Sequence, residues 1–431
     1  MTLKAQKDWL SPKKAWLFLT LILVTGWLLR VMVIQGYEIG PNTFSDDNAY
    51  LTTSISFVKH GLIGNENNAE LNTAIGPGMP FLLGALLAVF GYNATGLTSV
   101  HIAFASIGLI TAIGAYLLGT LLRDRFTGLL AAAFCALEPG LVSVNTLFLT
   151  ETPYMCLNVF VMYCFLRCAK KWHFGIYWTG VLCLLAGAMF KGLILMAPLA
   201  ALPLILRQKQ AWKKWLPRIA VAVLAFVIGF FPWWVRNWQV LDRFVPFTAN
   251  RGDLQLLGTY MGWGHPDGTY EEMIQQLDAQ AWMEGYQEDG ARRFALRGEV
   301  GKERLAEWFR THPVGFVLTH LVYKPFVLTT GHLMDVDFVS VRYSQYLWWA
   351  ALVVVLWGLM APKFGRKAAD GYYLPALYLL AATLITGVYA PLPRYGISHF
   401  PLWLFYTAAG AVDLMTRAGK LFVNQSAGGT R

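Results

Sequence analysis

Apolar runs long enough to cross the roughly 30 Å of bilayer hydrocarbon recur along nearly the whole 431-residue chain, separated by short polar interruptions. The first, residues 15–34, leads into a polar stretch, 35–76, too long and too hydrophilic to be a turn. Residues 77–90 are apolar but only about 14 in number, which suits a juxtamembrane or re-entrant helix rather than a full span. Further spans are predicted at 96–122, 126–149, 153–168, 175–190, 193–206 and 219–234. Residues 235–342 then form a polar segment of roughly 100 residues, far beyond an ordinary connection. Inside it, 290–309 has helical composition, while 314–328, apolar and aromatic but broken at Lys324-Pro325, is expected to lie along the membrane interface. The last spans are expected at 344–360, 372–389 and 396–415.

The fold class this predicts is an all-α polytopic membrane protein of about ten transmembrane helices, with juxtamembrane helices and one large exported loop. Three regions follow: a transmembrane module over 1–234 whose first loop, 35–95, is the candidate catalytic loop; the exported loop with its interfacial helix over 235–342; and C-terminal transmembrane helices over 343–431.

Composition agrees. The chain is 56% hydrophobic and 14% charged, against about a quarter charged in an ordinary soluble domain. A net charge of +10 would suit a nucleic-acid binder, but the cations fall in short clusters between apolar runs. Lys13 and Lys14 precede the first run; Arg123 and Arg125, Arg167 with Lys170 and Lys171, Arg207 to Arg218, Lys363 with Lys367, and Arg417 punctuate later ones. That is the positive-inside pattern of a cytoplasmic membrane protein with both termini inside, and nucleic acid is excluded as a partner. The five cysteines all lie in apolar segments and offer neither a disulfide framework nor spaced metal ligands. The first apolar run has a basic flank but no small-residue cleavage site after it, and is expected to be a retained helix.

Polar side chains that topology does not explain concentrate in the two long outer loops. Asp46 and Asp47 open a stretch of helical composition, where carboxylates cap a helix, or where one of them, partly buried beside the bilayer, serves as a general base. Glu151 lies in the tight turn between two predicted spans on the same side, at a helix start with Pro153 in the first turn. Glu138, beside Pro139, is an ionisable group at membrane depth, either functional or satisfied by a neighbouring helix. Lys191 and Arg236 end spans on the outer side, against the orientation rule, where a cation snorkels to headgroups or binds an anionic ligand. No P-loop, Rossmann glycine pattern or HExxH helix occurs, so nucleotide hydrolysis and zinc proteolysis have no motif behind them.

With these residues placed, the chain resembles the GT-C superfamily of membrane glycosyltransferases, closest to bacterial members related to protein O-mannosyltransferases and aminoarabinose transferases. The matching pieces run in order: Asp46-Asp47 with Tyr50; Thr73-Ala74-Ile75-Gly76-Pro77-Gly78-Met79-Pro80; Leu121-Leu122-Arg123-Asp124-Arg125; Thr150-Glu151; Phe231-Pro232-Trp233-Trp234-Val235-Arg236-Asn237 with Phe244-Val245-Pro246; and Pro393-Arg394-Tyr395. The chain departs from some relatives at Gly76, where they carry a basic residue beside a Glu. The resemblance implies an inverting transfer of sugar from a polyprenyl-phosphate donor to a glycan, lipid or protein hydroxyl at the outer face of the cytoplasmic membrane. It puts Asp46 at the catalytic centre with Asp47 beside it and Glu151 at a second acidic position. Arg236, Lys191 and Arg394 become the cations for the donor phosphate, and Tyr50, Glu138 and Asn237 are assigned to the substrate cavity. No nucleotide or other cofactor is required; a divalent cation near the carboxylates is compatible with the chemistry but not called for. The competing classes are a transporter or lipid flippase and a non-catalytic scaffold. The absence of an internal repeat, and two long loops on one side, favour an enzyme.

Overall fold

In the computed structural model, every regular element among the described residues (10–36, 45–64, 74–208, 211–330, 341–364 and 369–428) is helical. The N-terminal half comprises α1 (Pro12–Gly36), α2 (Ser45–His60), α3 (Gly78–Phe90), α4 (Ala94–Leu122), α5 (Arg125–Leu137), α6 (Pro139–Asn145), α7 (Glu151–Lys170) and α8 (Phe174–Phe190). A 3-10 stretch, Gly192–Ala201, runs into α9 (Leu202–Leu206), and α10 (Ala211–Leu241) follows. The long loop folds into α11 (Arg251–Gly258), α12 (Tyr270–Met283), α13 (Gly290–Thr311), α14 (Pro313–Leu318), a π turn (Thr319–Tyr323) and α15 (Lys324–Thr330). The chain ends with α16 (Val341–Phe364), α17 (Leu374–Gly387), α18 (Pro393–Ile397) and α19 (Phe400–Gly428). Thr73 and parts of the first loop lie outside the described residues.

The outer surface is that of a membrane protein. α1 exposes Leu17, Leu21, Val24 and Leu28, and α10 exposes Val223, Leu224, Ile228 and Phe231. Apolar faces this long are stable in lipid, where a helix satisfies its own backbone. By length and composition, 4 helices among the described residues can cross a membrane, α1, α4, α7 and most of α10, or 5 if the bent pair α5–α6 is one span; shorter apolar helices of 10–17 residues accompany them.

The sequence predicts one helix over 126–149, and the structure breaks it at Glu138, with a bend of 57°. Pro139 has no N–H to donate, and the Glu138 carboxylate accepts from Leu141 N at 2.7 Å, so Glu138 ends α5 and caps α6. The break frees the Ala136 carbonyl, which accepts from Arg30 at 2.7 Å. Arg30 is 1% exposed on α1 and also donates to Gly26 O and twice to Asn145 Oδ1, so neutral acceptors satisfy its fork. The stretch 193–206 is wound mostly as a 3-10 segment carrying Pro198 rather than as one α-helix. The expected break at Lys324-Pro325 is instead a continuous path whose π turn lies just before the proline, which cannot donate to the carbonyl four residues back.

The two ends of the bundle differ in chemistry. At one end the basic connections meet: Lys170 donates to Leu121 O, Gln208 to Ala169 O, Tyr177 to Arg218 O, and the Arg218 guanidinium stacks 3.4 Å from the Trp172 ring centroid. Asp46, Glu151, Lys191, Arg251 and Arg394, from the intervening connections, line a single cavity elsewhere.

Candidate active site

α2 begins with two adjacent carboxylates, and neighbours on a helix are about 100° apart, so they face different ways. Asp46 opens into a cavity of about 410 Å³ and pairs with Arg394, Oδ2 to NH2 at 2.5 Å. Asp47 turns into the protein: it is 1% exposed, and its Oδ1 accepts from Phe148 N at 2.7 Å, tying α2 to the turn that carries Thr150 and Glu151. Burial raises the Asp47 carboxyl to about 7, the Phe148 amide offsetting part of the rise.

Glu151 is the first residue of α7 and is 2% exposed. Its Oε1 accepts from Lys191 Nζ at 2.8 Å and its Oε2 from Thr150 Oγ1 at 3.1 Å. Lys191 caps the C-terminus of α8 in an extended conformation, and its Nζ also donates to Ser398 Oγ at 2.9 Å. The Gly76-Pro77-Gly78 motif sets the wall behind it. A Cβ on Gly78 would stand 2.9 Å from the Met189 carbonyl, so only glycine lets α3 start directly against the chain leading into Lys191. Arg394 is opposed by burial, but Glu151 and Asp46 more than offset it and hold its pKa above the ordinary guanidinium range.

Of the residues expected at the site, Asp46, Tyr50, Glu151, Lys191 and Arg394 line this cavity, and Asp47 braces it from behind. The other three lie outside the lining. Arg236 donates to Asn237 Oδ1 and to Ile63 O, with its guanidinium 5.0 Å from the Trp233 ring. Asn237, 1% exposed, donates to Val245 O, and Trp233 and Trp234 donate to Phe247 O and Pro246 O. The tryptophan-rich motif thus clamps the end of α10 to the segment 245–247, which leads directly to the cavity residues Thr248, Asn250 and Arg251. Glu138 serves the bend between α5 and α6.

Sequence reasoning missed Arg251 and the pair Ser398 and His399. Arg251 opens α11 with an exposed side chain that, among the described residues, has no ion pair; its guanidinium lies 5.5 Å from the Phe247 ring. The available cue was its place five residues past Pro246 in a matched motif. Among the described residues, no group of three or more His, Cys, Asp or Glu side chains is placed to hold a metal ion.

Residues 74–235 match the family model described as dolichyl-phosphate-mannose-protein mannosyltransferase. Among solved structures, the archaeal oligosaccharyltransferase AglB from Archaeoglobus fulgidus, in complex with an inhibitory peptide and a dolichol-phosphate, superposes with a TM-score of 0.56 over 98% of this chain and 53% of its own, at 14% identity. The fold is of the GT-C type. The A. fulgidus oligosaccharyltransferase in complex with Zn and sulfate gives 0.55 over 92% of this chain and 49% of that one, also at 14% identity. ArnT from Cupriavidus metallidurans in the apo state aligns at 0.40 with 13% identity, too low to argue from. The chain spans about half the length of the oligosaccharyltransferases it superposes on. No curated protein matches it by sequence.

Proposed function

We propose that the chain is an inverting glycosyltransferase that moves a sugar from a polyprenyl-phosphate donor to an acceptor hydroxyl at the outer face of the cytoplasmic membrane. The observation that carries this reading is the grouping of a half-exposed Asp46, its partner Arg394, the Lys191–Glu151 pair and Arg251 around one cavity of a GT-C fold. Asp46 is the general base: it takes the acceptor's proton as the hydroxyl oxygen attacks the anomeric carbon and the bond from that carbon to the phosphate oxygen breaks. The electron pair leaves on the polyprenyl phosphate, so cations must meet it. Lys191 has three N–H donors and spends two, on Glu151 and Ser398, leaving one for a phosphate oxygen. Arg251 supplies a guanidinium with no competing carboxylate among the described residues, a better station for the donor phosphate than Arg236. The dolichol-phosphate bound by AglB supports a lipid phosphate as the donor's carrier.

The test is transfer of radiolabelled sugar from synthetic polyprenyl-phosphate donors by purified protein in nanodiscs. Product that depends on both donor and acceptor supports the reading; donor that is moved across the bilayer unreacted makes the protein a flippase.

A further inference from the structure

A buried chain of hydrogen bonds leaves this cavity and returns to it. Tyr154 and His399 both line the cavity and are 0% and 5% exposed. Tyr154 Oη lies 3.4 Å from Tyr378 Oη, Tyr378 Oη donates to Asn158 Oδ1 at 3.0 Å, and Asn158 Nδ2 lies 3.4 Å from His399 Nδ1. The direction of the chain is determined. Because Oδ1 of Asn158 accepts from the tyrosine, its Nδ2 is the donor to histidine, and His399 Nδ1 must be the acceptor. The ring proton is then on Nε2, which has no hydrogen-bond partner among the described residues. With Nδ1 an acceptor, the ring carries a single proton and is neutral.

A neutral N–H donor buried at the cavity wall suits an uncharged oxygen. A phosphate is better served by Lys191, Arg251 and Arg394. The half-buried ring of Tyr395 on the cavity wall offers an apolar face against which sugar C–H groups pack, and the fully buried Tyr154 ring stands edge-on to His399 behind that wall. Resting on the glycosyltransferase reading above, we infer that His399 is a specificity-determining residue whose Nε2–H donates to one hydroxyl oxygen of the donor's sugar, with Asn158 and Tyr378 as positioning residues that lock its tautomer.

The test uses the full chain in nanodiscs with a panel of polyprenyl-phosphate hexoses and their monodeoxy analogues. Wild type should prefer the parent sugar over one monodeoxy form by about tenfold in kcat/KM, the worth of one neutral hydrogen bond at the upper end. His399→Phe should bring that ratio to about one by lowering kcat/KM for the parent donor alone. His399→Gln, whose amide nitrogen reaches about as far as Nε2, should restore part of it. Asn158→Asp should lower the ratio without erasing it, since a carboxylate draws the ring proton to Nδ1 and the sugar hydroxyl must then turn its own proton toward Nε2 in a pocket shaped for the reverse bond. An unchanged ratio in His399→Phe, or an equal loss on every donor, overturns the inference while leaving the transferase reading intact. Should His399→Phe not fold, His399→Leu decides in the same way, and a ratio unchanged in both His399→Gln and Asn158→Asp also overturns the inference. No transfer by wild type from any donor overturns the transferase reading, and the inference with it.

Discussion

Asp47→Asn separates the two acids of the first loop. The Asp47 carboxyl is 1% exposed, and burial moves it from 3.8 to about 7, an interval worth roughly 4 kcal/mol. Its pKa is raised in the folded state, so between these values the folded protein binds the proton more tightly than the unfolded chain does. The stability this confers is complete below about pH 4 and is lost as pH rises through about 7, above which the fold carries a buried anion. Asparagine keeps an oxygen to accept from Phe148 N and carries no charge at any pH. The variant should therefore match wild type only near pH 4 and unfold at an increasingly higher temperature than wild type as pH rises from 5 to 8. Because every other group titrates in both proteins, the difference between their melting curves from pH 5 to 8, followed by tryptophan fluorescence in detergent, isolates this carboxyl. Asp47→Asn should also retain transfer, whereas Asp46→Asn should abolish it, because the amide cannot take the acceptor's proton. A melting difference that does not vary with pH, or loss of transfer in Asp47→Asn as complete as in Asp46→Asn, refutes the argument and puts Asp47 in the chemistry.

Three further outcomes are expected. Arg251→Ala should lower kcat/KM for the donor about ten- to hundredfold, the worth of a charge-assisted contact, while Arg236→Ala should act on thermal stability more than on donor kinetics; steady-state kinetics at saturating acceptor checks both. A cysteine at Met283, 78% exposed in the long loop, should react with an impermeant thiol reagent added outside intact cells, and one at the exposed Lys214 should not. Arg394→Lys should lose more kcat than KM, since a point charge replaces the planar fork.

Much of the architecture was legible because lipid imposes a strong constraint: a span must be apolar and must hydrogen-bond internally, so α1, α4 and α10 stand out in the sequence. What could not be read was which partner each polar residue would find. Glu138 has the same composition signal whether it caps a bent helix or faces a substrate, and only the fold brings Leu141 N to it. Asp46 and Asp47 are equivalent letters until the helix phase points one at Arg394 and the other at Phe148. Arg236 carried the cues of a phosphate ligand, being outer, basic and flanked by tryptophans, yet Ile63 O and Asn237 engage it. Arg251 and His399 were invisible because the roles proposed for them depend on segments distant in sequence, the 3-10 stretch beside α11, and α7 with α17 and the residue before α19.

The charges around the cavity give the proposed reaction its direction. Asp46 and Glu151 supply two negative charges, and Lys191, Arg394 and Arg251 three positive ones, so a donor phosphodiester bearing a single negative charge brings the site to neutrality. During transfer, Asp46 becomes neutral as it takes the proton, and the departing polyprenyl phosphate monoester gains the second negative charge. The net effect is to move one charge from Asp46 to the phosphate with the total unchanged. Arg394 starts on Asp46 at 2.5 Å, under the field of Glu151 as well, and loses its partner at the moment the phosphate needs one. A guanidinium with five donors can keep one edge on Glu151's side of the cavity and turn another toward the leaving oxygen. On this reasoning the ion pair is a way of holding a cation ready for the transition state, and the exposed face of Asp46 is the place where the acceptor enters.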